Sequence, residues 1–289
     1  MKIQSKEYNT SLSTNFKGGL TKSMMSEINR LDVVAAQNYL KKHNIDANFE
    51  NNKIVAWSVL KVTNIFKTIN KKYNLNLQLP QKIFVLDLKK LENVDYNSAY
   101  GFCNFLPARL SKNNEHITPP MSVIFNKDLP WDRIDEIIDY DFYINSNTAT
   151  NFFLEPFFHE LSHIVHEGNL LNKNSIKNTM KKLMFLTEDT TIEAYREKYG
   201  NTAQKRICSY AQKGPLDLVA CDLSKRFIKT IDKENLSVRG NPFDDSPYQN
   251  YFYIKKLFKR NDNDSFKNLI RYFYDGKINK INKNLFTQI

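Results

Sequence analysis

Apolar positions along the chain recur with two periods, and the switches between them mark out the elements. Over positions 24–44, Ile28, Leu31, Val34, Ala35, Tyr39 and Leu40 fall on one side of a helix. Positions 54–73 predict a second helix. It is apolar on more than one side, at Val55, Trp57, Val59, Leu60, Val62, Ile65 and Phe66, which implies deep burial. A polar turn closed by Pro80 follows, and the period shortens. Positions 82–88 are rich in β-branched and aromatic residues and read as a buried strand. Positions 98–106 alternate weakly around Gly101, as a bent strand would. Positions 121–126 follow Pro119-Pro120, precede Lys127-Asp128 and read as an edge strand open to an extended peptide. After an acidic, helix-compatible patch at 132–141, positions 151–171 return to the helical period through Phe152, Phe153, Phe157, Phe158, Leu161, Ile164 and Val165. Gly168 is a natural stop for that helix. A basic amphipathic stretch (173–186) and a polar helix (188–200) come next. Pro215 then opens a helix over 216–231, and two short amphipathic helices (248–258 and 264–274) complete the pattern.

Composition narrows the classes. The chain has 289 residues, enough for one large domain or two small ones with a sizeable core. A hydrophobic share of 41% and an aromatic share of 13% exclude wholesale disorder. The net charge is +11, but Lys and Arg are spread along the chain rather than gathered in a stripe, so specific nucleic-acid binding is not expected. The three cysteines, Cys103, Cys208 and Cys221, are widely spaced and suit buried thiols in a reducing compartment. No apolar run has the length of a bilayer span, and the first residues lack the apolar core of a Sec signal. The expected location is cytoplasmic, or outside the cell by a route without a Sec signal, for example as an effector.

Within the helix at 151–171 lies His159-Glu160-Leu161-Ser162-His163, an HExxH motif. Residues four apart stand one above the other on a helix, so both imidazoles face one point and can share a Zn²⁺. Glu160 emerges beside that point as a general base. His166 falls three residues further on and takes the place of the glycine in the HExxHxxGxxH pattern, so the metzincin spacing is absent.

A third ligand is required, and the segment Ser209-Tyr210-Ala211-Gln212-Lys213-Gly214-Pro215-Leu216-Asp217-Leu218-Val219-Ala220 draws the comparison. With HExxH, its run from Tyr210 to Ala220 resembles the second motif, SxYAxxxPxExxA, of the gluzincin metallopeptidases related to the catalytic domain of anthrax lethal factor. The resemblance covers roughly positions 83–227. It implies that Asp217, at the position of that family's Glu, is the third zinc ligand and that Tyr210 stabilises the oxyanion. Asp is one methylene shorter than Glu, so its carboxylate reaches about 1.5 Å less. Asp222 and Glu193 stay open as alternative carboxylates, and His166 as an alternative imidazole. The implied architecture is α+β: a zincin-like metallopeptidase fold with a small mixed sheet, the HExxH helix and additional N- and C-terminal helices. Its divisions are a flexible leader (1–25), N-terminal helices on the core (26–78), a catalytic core (79–232) and a C-terminal helical subdomain (233–289). The implied function is a zinc-dependent endopeptidase acting on a protein or peptide. The alternative is a catalytically inactive zincin-fold protein that binds a protein partner.

Overall fold

The computed structural model describes residues 19–73, 78–88, 99–104, 108–109, 117–118, 121–173, 207–213 and 215–231. The expected helices at 188–200, 248–258 and 264–274, almost all of the stretch at 173–186, and Glu193 lie outside these residues.

The run at 24–44 is two helices, α1 (Lys22–Arg30) and α2 (Val33–Lys42). Asp32 divides them. Its carboxylate accepts from the Val34 and Ala35 amides at 2.9 and 3.1 Å, which satisfies the orphan donors of a new helix start. Leu31 stays buried at the break. Strand β1 (Asp46–Asn48) follows, then α3 (Lys53–Tyr73). The all-round burial expected of α3 holds from Val55 to Phe66. Lys61 on this helix is buried, lies 3.3 Å from Glu27, and burial brings its ammonium down to about 8.

Among the described residues the sheet has four strands, in the order β1, β2 (Lys82–Leu86), β6 (Ser122–Asn126), β3 (Gly101–Asn104). The first three are parallel, and β3 runs antiparallel to β6. A separate two-stranded ribbon joins β4 (Ala108–Arg109) to β5 (Ile117–Thr118). The segment at 121–126 is therefore not an edge strand. β6 is paired on both sides and buried at every residue, as its unbroken Val123-Ile124-Phe125 run suits. Among the described residues, β3 follows β6 in the strand order. After β6 the chain forms a short helical turn (Trp131–Arg133), α4 (Ile134–Tyr140) and a π-helical turn (Asp141–Asn145).

Helix α5 (Glu155–Lys173) is the centre of the core and continues past Gly168, where a stop was expected. Phe157 faces the sheet, 4.7 Å from the Phe125 ring and 5.4 Å from Trp131. Phe158 faces the other way, stacking 5.9 Å from Phe66 on α3 and 6.1 Å from Phe227. Phe227 belongs to α6 (Pro215–Thr230), which lies along α5. Aromatic rings on both flanks clamp α5 between sheet and helices, so its third face carries the HExxH residues on a rigid support. One hydrophobic cluster runs from Met24 to Ile231. Among the described residues, no helix is long and apolar enough to cross a membrane.

Candidate metal centre

The site is built where α5 meets the N-terminal turn of α6. The i, i+4 spacing brings His159 and His163 together with ring centroids 4.8 Å apart and Nε2 atoms 3.2 Å apart. Asp217 enters from the first turn of α6, where a carboxylate also complements the helix dipole. Its Oδ1 lies 3.6 Å from His163 Nε2 and 3.9 Å from His159 Nε2. The shortened carboxylate thus reaches the imidazoles, because α6 lies close along α5.

These three residues form a group whose donor atoms all lie within 4.8 Å of one another. Tetrahedral zinc ligands at about 2.0–2.2 Å stand about 3.4 Å apart, so the three observed separations match that donor set to within a few tenths of an ångström. The protonation states also suit a cation. Burial, reinforced by the neighbouring His163, holds His159 down at about 3, which keeps its lone pair free near neutrality. Burial works to raise Asp217, but the hydrogen bond and charge of His163, then the charges of His159 and Lys213, outweigh it and leave the carboxyl below its ordinary range.

The other candidates fall elsewhere. Asp222 is buried on α6 and paired to Arg226 Nε at 3.0 Å, one turn along its own helix. Five residues beyond Asp217, it is rotated well away from the imidazoles and takes no part in the group. Glu193 and the side chain of His166 lie outside the described residues.

Glu160 is buried between α5 and the margin of the sheet. Gly101 makes this possible. A Cβ there would stand 3.2 Å from Glu160 Cγ and 3.0 Å from the Ile124 carbonyl oxygen, so any larger residue would need these neighbours to give by a few tenths of an ångström.

Tyr210 opens a helical turn (Tyr210–Gln212) just before α6, with its ring 5.7 Å from that of His159. Lys213 Nζ lies 4.0 Å from the centroid of the same ring. Ser209 ties this turn down. Its Oγ lies 2.9 Å from the Ser146 carbonyl and 2.9 Å from Asn147 Oδ1. Ser146, at φ 53°, ends the π-helical turn in the left-handed region and turns its carbonyl to that hydroxyl.

Two neighbours escaped the sequence reasoning. Cys221 Sγ lies 3.7 Å from His159 Nδ1, behind the imidazole, and Cys208 Sγ lies 3.2 Å from Cys221 Sγ. The signal for Cys221 was its place four residues after Asp217, on the same face of α6. Glu155, one turn before His159, is the second. It is fully enclosed, and burial raises its carboxyl to about 7 against hydrogen bonds from Ser224 Oγ and the Ala149 backbone.

Comparison with protein-family models, with curated proteins and with solved structures returns no match for this chain.

Proposed function

We propose that the chain is a zinc-dependent endopeptidase with a zincin-like fold, in which His159, His163 and Asp217 hold Zn²⁺ and Glu160 is the general base. One observation carries this reading: a carboxylate from a second helix, 54 residues beyond His163 in the chain, meets the HExxH imidazoles at ligand spacing. Two histidines alone occur on many helices. Convergence of a third donor of the right chemistry is what a cation site needs. The spacing of Tyr210, Pro215 and Asp217 supports kinship with the lethal-factor type of gluzincin.

When bound, zinc supplies Lewis acidity, polarising the scissile carbonyl and lowering the pKa of a water towards 7. The chain's own groups do the rest. Glu160 takes a proton from the attacking water on its carboxylate and passes it to the amide nitrogen of the leaving strand. The Tyr210 hydroxyl donates to the oxyanion of the tetrahedral intermediate, where one donor is worth about 2.7–4 kcal/mol. Asp217, as the third ligand, would offset the charge of the cation.

The test is Glu160→Gln in the full chain. It should retain stoichiometric zinc by elemental analysis and lose cleavage across a peptide library read by mass spectrometry. Wild-type cleavage by that variant would refute the base assignment. Stoichiometric zinc with no cleavage by the wild type would favour the partner-binding alternative.

A further inference from the structure

Cys208 and Cys221 are both buried, with sulfurs 3.2 Å apart. Their contact joins two parts of the site. Cys208 stands two residues before Tyr210, and Cys221 one turn after Asp217 on α6. Cys221 Sγ also lies 3.7 Å from His159 Nδ1. We propose that Cys208 and Cys221 form a reversible dithiol–disulfide site, oxidised by a hydroperoxide, whose bridge ties the Tyr210 turn to α6 and alters the support of the His159 imidazole.

The chemistry closes on two thiols and one peroxide. One thiolate sulfur attacks the O–O bond, which breaks to leave a sulfenic acid and release one water or alcohol. The second sulfur then displaces the sulfenic oxygen as water and forms the Sγ–Sγ bond. Two electrons and two protons pass from the thiols to the oxidant. The sulfurs need to close by only about 1 Å to reach a disulfide length near 2.0 Å. Buried thiols are ordinarily inert. Here the resolving sulfur already touches the first, so a sulfenic acid is captured before further oxidation. Bridging also removes the Cys221 S–H and tethers the sulfur behind His159. Partners of this kind shift metal affinity by about 10–100-fold. The bridge stands on the sulfur contact alone, and only its effect on metal affinity rests on the proposed zinc site.

The experiment uses the full chain with hydrogen peroxide, followed by denaturation, thiol alkylation and mass analysis. Trypsin releases Cys208 within 207–213 and Cys221 within 214–225, so a bridge appears as one linked peptide pair. The expected result is a mass loss of about 2 Da, that linked pair, and its reversal by dithiothreitol. Cys103→Ser should behave like the wild type. Cys208→Ser should form no link. Sulfinic acid on either cysteine without a linked pair, or two thiols left intact under conditions that oxidise Cys103, would overturn the proposal. Zinc affinity by chelator competition should differ about tenfold between reduced and bridged wild type. Equal affinities would overturn the coupling to His159. A linked pair in a chain that binds no zinc would leave the redox site standing and remove the metal reading, so the two failures are distinguishable.

Discussion

Glu155 offers the sharpest quantitative test of how the core supports the site. Its carboxyl is fully enclosed, accepts from Ser224 Oγ at 3.1 Å, and is raised from 4.5 to about 7 by burial. Between those two values the unfolded chain has released the proton and the folded chain still holds it. Stability then falls as pH rises, by about 1.4 kcal/mol per unit, and the loss levels off above about pH 7. Glu155→Gln removes the titration while keeping an oxygen for Ser224. The stability of the variant minus that of the wild type should therefore climb by roughly 3 kcal/mol between about pH 4.5 and pH 7 and stay flat above. His159, whose folded value is depressed, contributes the opposite slope, but equally in both proteins, so it cancels in the difference. The assay is urea denaturation of both proteins in chelator at half-unit pH steps. A difference that stays flat across this window, or falls with pH, would refute the claim that burial dominates the carboxyl.

Gly101→Ala should retain zinc binding but slow peptide cleavage and lower stability by about 1–3 kcal/mol, because its Cβ drives into the Ile124 carbonyl and Glu160. Zinc titration, kinetics and urea melts on the one variant separate these effects, and full activity would mean that Glu160 does not depend on the close approach of β3. Asp217→Ala should weaken zinc binding by more than about 100-fold, beyond the loss typical of an outer partner; chelator competition measures it, and unchanged affinity would remove Asp217 from the ligand set. Asp32→Ala should cost about 1 kcal/mol by loss of the α2 cap, read by thermal unfolding, with no change in zinc affinity.

Local periodicity carried much of the fold. The helix at Lys53–Tyr73 and the helix at Pro215–Thr230 were both legible, because a 3.6-residue rhythm and a proline in the first turn are properties of the segments themselves. Where the reading slipped, a contact from elsewhere decided. β1 is three residues long, with one buried alanine between two exposed polar residues, and is a strand only because β2 lies beside it. The strand Ser122–Asn126 looked like an edge from its flanking prolines and charges, yet its apolar run already suited a place inside the sheet. The single helix expected over 24–44 breaks because Asp32 prefers a cap to a helix interior.

The sequence by itself determined the paired imidazoles. Four residues on a helix amount to little more than one turn, so His159 and His163 face one point whatever surrounds them. It also narrowed the remaining ligand to a few named residues. Only the tertiary structure shows which of those described stands beside the imidazoles, because the approach of Asp217 depends on how closely α6 lies along α5, where Phe158 and Phe227 pack, rather than on any local motif. The same approach turned Asp222 away and brought Cys221 behind His159, while the packing of α5 on β3 left Gly101 beneath Glu160. Spacing along a helix is a local property of the backbone, whereas the meeting of residues some sixty positions apart is a property of the packed core.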